Sequence, residues 1–347
     1  MSAKKKFKKN PSAPSKKEKF ILPSNQPPAK NGWNNLSYIV SIVLFFFVGT
    51  GVLVYSPRVA NLAESKLIFA SNTITEGQKP IIQEVKGAEI KPVITIEDQG
   101  TPPPKFTGMA VLAEDLNTGQ ILFQKNIDQK LSPASTTKIM TALVAAEHYQ
   151  PGDVLTVLAE DKVSGSSMDV VVGEKLTFRG LLYGMMLNSG NDAAFTIASN
   201  YPGGLSAFVQ AMNNKAKEMG LTSSNFRNPA GFDDQNHYSS ASDMAKIAKA
   251  AAQNSQISKV VSTKETTVVS VDLAHSHKLV NLNKLLNEDG VIGIKTGYTE
   301  IAGENLVGLV ERDNHKILTV VLNSQDRFGE SKNLINWIYS NFVWKNQ

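Results

Sequence analysis

The chain has 347 residues, 41% of them apolar and 19% charged, an ordinary balance for one sizeable globular core or two modest domains. It contains no cysteine, which excludes disulfides, zinc–thiolate centres and a cysteine nucleophile. The net charge of +5 is unevenly spread: residues 1–35 hold nine lysines against one acid, so the rest sums to −3 and offers no basic footprint for nucleic acid.

Residues 1–35 read as a solvated basic arm. Residues 36–55 carry no charge. About twenty apolar residues at 1.5 Å rise span a ~30 Å hydrocarbon core. Trp33 and Tyr55 stand at the two ends, where aromatic belts lie, and the lysines precede the span. The positive-inside rule then places the N-terminus in the cytoplasm and the remainder outside. We therefore expect a cytoplasmic arm over 1–35 and a single-pass cell-membrane anchor over 36–56. A cleaved signal peptide and a buried core helix are the rival readings. The long polar arm ahead of the span and the lack of a small-x-small site after it argue against the first. Residues 57–106 lack sustained periodicity and end in Gly100-Thr101-Pro102-Pro103-Pro104, which reads as a linker stiffened by polyproline, with room for one short strand.

A compact domain is expected over 107–347. Residues 108–114 form an apolar strand, Asn117-Thr118-Gly119 a turn, and 120–124 the returning strand. From 135 to 149 the pattern is helical, with Ile139, Met140, Leu143 and Val144 on one face. Helical stretches recur near 177–188, 192–200, 204–219 and 241–253. Strands resume at 291–295, 305–311 and 316–323, the last two flanking the hairpin signal Arg312-Asp313-Asn314-His315. An amphipathic helix over 330–342 closes the pattern. Strands at both ends with helices between them predict an α+β fold, an antiparallel sheet covered by helices.

Three short motifs carry chemistry. In Ser135-Thr136-Thr137-Lys138, at a helix start after Pro133-Ala134, positions i and i+3 share a face, so Lys138 reaches the Ser135 hydroxyl. A serine is a weak nucleophile that needs an adjacent base, and a lysine serves if burial or a second cation lowers its pKa. Ser189-Gly190-Asn191 follows an apolar helix; its serine can relay a proton and its amide can hold a carbonyl. Lys295-Thr296-Gly297 lies on an apolar strand whose edge can pair with an extended peptide, with lysine and threonine placed to bind a carboxylate. Alone, these are a helix cap, a C-cap turn and a strand end. Together, in this order and in these contexts, they match the triple found in serine β-lactamases and penicillin-binding proteins.

The domain resembles the low-molecular-mass penicillin-binding proteins, the D-alanyl-D-alanine carboxypeptidase family, over about 107–345. The likeness runs through 133–141, Ser189-Gly190-Asn191-Asp192-Ala193-Ala194, Asn228-Pro229-Ala230-Gly231-Phe232, 237–245, 293–299 and Arg327-Phe328. It implies that Ser135 is the acylated nucleophile and Lys138 its base, and that Ser189 and Asn191 relay protons and orient substrate. Lys295 then tunes the electrostatics, Thr296 and Arg327 hold the carboxylate, and the backbone N–H groups of Ser135 and Tyr298 form the oxyanion hole. His237 and Asp243 look structural. The implied substrate is a peptidoglycan stem peptide ending in D-Ala-D-Ala, with β-lactams as covalent inhibitors. Cross-link cleavage by a D,D-endopeptidase, a serine β-lactamase and an inactive cell-wall-binding module are the alternatives. No Glu-x-x-x-Asn segment supplies a β-lactamase's deacylating carboxylate, and intact motifs argue against lost catalysis. His275-x-His277 has no evident third ligand, so neither a metal nor another cofactor is expected.

Overall fold

The computed structural model describes residues 94–346. The arm expected over 1–35, the anchor over 36–56 and residues 57–93 of the expected linker lie outside the described residues. Among the described residues, no helix is long and apolar enough to cross a membrane.

In chain order the described part opens with β1 (Ile94–Asp98), β2 (Ala110–Asp115) and β3 (Ile121–Lys125). A 3-10 turn, Ala134–Thr137, runs directly into α1 (Lys138–His148). The short strands β4 (Val154–Thr156) and β5 (Lys175–Thr177) bracket a long excursion and lead into α2 (Phe178–Met186), α3 (Asn191–Ser199), α4 (Gly204–Glu218), α5 (Ala241–Gln253) and α6 (Ser255–Val261). A hairpin of β6 (Glu265–Val269) and β7 (Ser276–Val280) follows, then β8 (Val291–Thr299), β9 (Gly303–Arg312), β10 (His315–Ser324), α7 (Arg327–Asn341) and β11 (Phe342–Asn346).

Local chemistry sets these boundaries. Side chains accept from first-turn amides at four helix starts: Thr177 for α2, Ser240 for α5, Asn254 for α6 and Asp326 for α7. Between β9 and β10, Asp313 and Asn314 take φ of 50° and 63°, the left-handed pair that a two-residue turn needs to match strand twist.

The five-stranded sheet runs β3-β2-β10-β9-β8, antiparallel throughout. Its inner strands are buried on both faces, as period-2 alternation shows. On β10, Leu318, Val320 and Leu322 face the helical layer built around α1, while Ile317 and Val321 face Leu334, Ile335 and Ile338 of α7. Helix α1 is buried from Lys138 through Ala145, so it is the centre of the helical layer and not a surface helix. This arrangement is the α+β layering read from the sequence.

Three features differ from that reading. Residues 94–106, expected within the linker, belong to the packed domain. Strand β1 pairs with β11, the Thr101 amide donates to Asn341 Oδ1 at 2.7 Å, and the Trp337 indole donates to the Thr101 carbonyl at 2.9 Å. The partner strand lies some 240 residues away, so no local pattern could reveal it. The final helix is followed by a strand and not by the chain's last turn. The hairpins β4–β5 and β6–β7 were also not anticipated, because strands of three to five residues carry too few positions for a period.

A chain begun at Thr107 loses β1 and the Thr101 contacts. Relative to one begun at Ile94, it should melt about 5 °C lower for a loss of roughly 2 kcal/mol. It should also become cleavable by protease near Phe342. Equal melting temperatures would show that β1 does not stabilise the domain.

Candidate active site

The nucleophile segment is held in an unusual backbone. Ala134 sits at φ 46° and the Thr136 hydroxyl bends back to the Pro133 carbonyl at 2.6 Å, closing the 3-10 turn that presents a half-buried Ser135. Gly231 lies against this turn at φ 89°, and a Cβ there would stand 1.8 Å from the Ala134 carbonyl oxygen, so only glycine fits.

Lys138 is fully buried one turn on. Its Nζ lies 3.0 Å from Ser135 Oγ, 2.8 Å from Asn191 Oδ1 and 2.7 Å from the Ala230 carbonyl oxygen. A free amine satisfies this geometry: two N–H groups serve the amide and carbonyl oxygens, and the lone pair is left facing the serine O–H. Burial first, and the charge of Lys295 second, hold its pKa well below the ordinary lysine value; Asp192 pulls weakly the other way.

The loop carrying Ala230 is built by Asn228. Its Oδ1 accepts from the amides of Ala230, Gly231 and Phe232, and its Nδ2 donates to the Phe232 carbonyl. His237 ties this loop to the nucleophile segment. Its Nδ1 accepts from the Arg227 amide at 3.3 Å, which leaves Nε2–H to donate to Thr137 Oγ1 at 2.9 Å. Burial lowers the His237 pKa to about 4, so the ring stays neutral. The structural role expected of His237 is what these contacts describe. Asp243 likewise accepts from the Ser223 amide and the Ser224 hydroxyl.

Asn191 opens α3, so the middle motif is delivered by a helix start. Its Nδ2 donates to the Ser164 carbonyl at 2.8 Å and its amide to the Ser166 carbonyl at 2.7 Å. The adjacent Asp192 accepts from Ser167 Oγ and from the amides of Met168 and Val170. Residues 164–174 thus form a strap laid over the motif. Ser189 is buried at φ 59° in the turn before α3, and among the described residues no hydrogen bond joins its hydroxyl to Ser135 or Lys138.

Strand β8 supplies the third wall, and it is an edge strand of the sheet. A Cβ on Gly297 would lie 3.0 Å from the Pro133 carbonyl oxygen and 3.1 Å from the Ser135 amide nitrogen. The missing side chain is what lets the strand edge close against the nucleophile turn. Lys295 is buried, bonded to the Thr296 carbonyl at 3.1 Å, and burial together with the Arg327 charge holds its pKa near 7. Arg327, at the start of α7, donates from Nη1 to the Gly297 carbonyl at 2.8 Å, while its Nε is buried with no hydrogen-bond partner among the described residues. Thr296 is buried beside them, and the Tyr298 side chain is 59% exposed at the mouth.

Ser135, Lys138 and Asn191 are therefore joined by hydrogen bonds, and Lys295 and Arg327 meet on β8. The role of the Ala230 carbonyl was not read from the sequence. The available signal was Asn228-Pro229-Ala230-Gly231, a loop signature with a side chain that caps its own backbone. His275 lies before β7 and His277 within it, and no group of three or more metal-ligating side chains occurs among the described residues.

Because the Lys295 charge depresses Lys138, replacing Lys295 with methionine should raise the Lys138 pKa. The acidic limb of Ser135 acylation by a penicillin should then move to higher pH, as read from second-order rate constants across a pH series. An unmoved limb would mean that the two lysines are electrostatically independent.

The family model of the D-alanyl-D-alanine carboxypeptidases matches residues 97–326. D-alanyl-D-alanine carboxypeptidase DacF of Bacillus subtilis is 35% identical over 246 residues, 67% of this chain and 62% of that protein. DacA of Haemophilus influenzae is 33% identical over 72% of this chain and 66% of its own length, so the chain spans under two thirds of either relative. D-alanyl-D-alanine endopeptidase of Pseudomonas aeruginosa is 32% identical, with 69% of this chain and 82% of that protein matched. The solved Streptomyces K15 DD-transpeptidase is similar with a TM-score of 0.66 and 31% identity, over 69% of this chain and the whole of that one. A serine–lysine pair at a helix start, an asparagine from a neighbouring helix start and a lysine-bearing sheet edge, on a chain so matched, place it in the D-alanyl-D-alanine carboxypeptidase family.

Proposed function

We propose that the chain is a serine-type D-Ala-D-Ala carboxypeptidase that trims peptidoglycan stem peptides through an acyl-enzyme on Ser135. One observation carries the reading. The site sets the buried Lys295 beside Arg327, and among the described residues neither side chain is hydrogen-bonded to a carboxylate. Such a cluster is balanced by an anionic ligand, and a peptide C-terminus beside the scissile bond is one.

The substrate lies extended along the open edge of β8, with its terminal carboxylate at Lys295, Thr296 and Arg327. Ser135 Oγ bonds to the carbonyl carbon of the penultimate D-Ala as its proton passes to Lys138 Nζ. The oxyanion is met by the backbone N–H groups of Ser135 and Tyr298. The C–N bond then breaks and the proton leaves with D-alanine, relayed through Ser189, while Asn191 holds the acyl chain. Water repeats the sequence to free Ser135. A β-lactam enters the same path and stays as the acyl group. The uncharged 36–55 span behind a lysine-rich arm supports anchoring in the cell membrane, with the catalytic domain outside.

D,D-endopeptidase action on cross-links is the second reading. It is favoured by the Pseudomonas relative, of which this chain spans the larger share. A cross-link at a diaminoacid D-centre also presents a carboxylate beside the scissile bond, so the cation cluster serves both.

Replacing Ser135 with alanine should abolish both peptide hydrolysis and covalent penicillin labelling, seen by intact mass. Lys138→Ala should slow acylation about 10²–10⁴-fold with the fold intact. Product analysis on muropeptides tests the reaction itself: free D-alanine from pentapeptides supports the first reading, and split dimers the second.

Arg327→Ala should erase most of the preference for a free-acid D-Ala-D-Ala peptide over its amide, about ten- to a hundredfold in kcat/KM. Equal slowing of acid and amide would make Arg327 a structural residue.

A further inference from the structure

His277 takes no part in the reaction above, yet it is buried and both of its ring nitrogens are engaged. Nδ1 lies 2.9 Å from the Met168 carbonyl oxygen and Nε2 lies 2.7 Å from Glu174 Oε1. It thus reaches from β7 to both ends of the 168–174 segment, the outer half of the strap over Asn191. The second oxygen of Glu174 accepts from the Val171 amide at 2.8 Å.

The proton count of this arrangement is constrained. A carbonyl oxygen only accepts, so Nδ1 must carry hydrogen. A carboxylate oxygen also only accepts, so either Nε2 carries hydrogen as well or the carboxyl does. The pair therefore holds one proton more than a neutral imidazole beside a carboxylate. Removing that proton to solvent sets two lone pairs against each other inside a buried contact, on one side of the ring or the other.

The strap's inner half is where this matters. Ser164 and Ser166 carbonyls hold the Asn191 amide groups, and Asn191 Oδ1 in turn holds Lys138 Nζ. We propose that His277 and Glu174 are positioning residues for the Asn191–Lys138 pair, clamping the outer half of the 164–174 strap through a shared proton. Breaking this contact loosens the strap and, through Ser164 and Ser166, the placement of Asn191 against the base.

Lys162 holds the strap at another point, its Nζ donating to the Val170 carbonyl at 2.6 Å. Asp169 on the strap, Lys175 at the start of β5, Asp272 and Lys278 on the β6–β7 hairpin and Arg179 on α2 are exposed, and His275 is half-buried. Asp192, facing the strap from α3, is already occupied by four donors.

Glu174→Gln keeps the bridge and removes the charge. The glutamine oxygen can accept from the Val171 amide while its NH2 donates to His277 Nε2, leaving Nδ1–H for Met168. Every contact is then satisfied with a neutral ring. The assay is acylation of the full chain in membranes by a fluorescent penicillin, and it rests on the Ser135 reading. Glu174→Gln should acylate at close to the wild-type rate, whereas Glu174→Ala and His277→Asn should each be slower by about tenfold. Amide exchange of 164–174 should be faster in those two variants than in wild type, with exchange of the five-stranded sheet unchanged. Equal acylation in all three variants, or unchanged exchange of the strap, overturns the proposal. No acylation of wild type at any pH would instead sink the Ser135 reading, and the exchange measurement would still decide the fate of the clamp.

Discussion

The site depends on one buried amine. Burying a lysine side chain is costly in its charged form, and removing a partner from a buried charge costs several kcal/mol. Burial and the Lys295 charge favour the neutral amine of Lys138, and in that form it has an oxygen for every hydrogen it retains. The same property that makes it tolerable in the core makes it a base. Stability and reactivity are therefore one requirement here, and the packing around Lys138 reads as the means of meeting it.

Each acceptor arrives from a different part of the chain, and each needs its own scaffold. Asn191 is set by the start of α3 and by the strap whose amides Asp192 gathers. The Ala230 carbonyl is set by Asn228, whose single side chain organises five residues of loop. His237 then locks that loop to Thr137, next to the lysine itself. Neutral histidine suits this role, because a protonated ring could no longer accept from the Arg227 amide.

The sheet supplies the complementary half. Edge strand β8 lies against the nucleophile turn only because Gly297 has no side chain. Arg327 completes the cation cluster from α7, and α7 is fixed in turn by Glu330. That carboxylate accepts from Thr107 Oγ1 at 2.6 Å, the Gly108 amide at 3.1 Å and Ser324 Oγ at 2.7 Å. Burial works against its ionisation, but these bonds outweigh it and its pKa is lowered. The start of β2, the end of β10 and the helix carrying Arg327 thus converge on one ionised side chain.

Short-range chemistry was legible in the sequence. The helix start with serine and lysine one turn apart, the Asp313-Asn314 turn and the alternation of β2, β9 and β10 all depend on residues within a few positions of each other. So did the α+β layering, since strands at both ends with helices between leave few ways to bury both faces of a sheet. What only the tertiary structure decided were contacts between distant segments. The pairing of β1 with β11, the Ala230 carbonyl on Lys138, the bond from Arg327 to Gly297 and the His277–Glu174 contact each join residues from thirty to two hundred and fifty positions apart. Three of these end on a backbone group, and a backbone carbonyl or amide is the same at every position, so it leaves no mark in a sequence until folding brings it to a side chain.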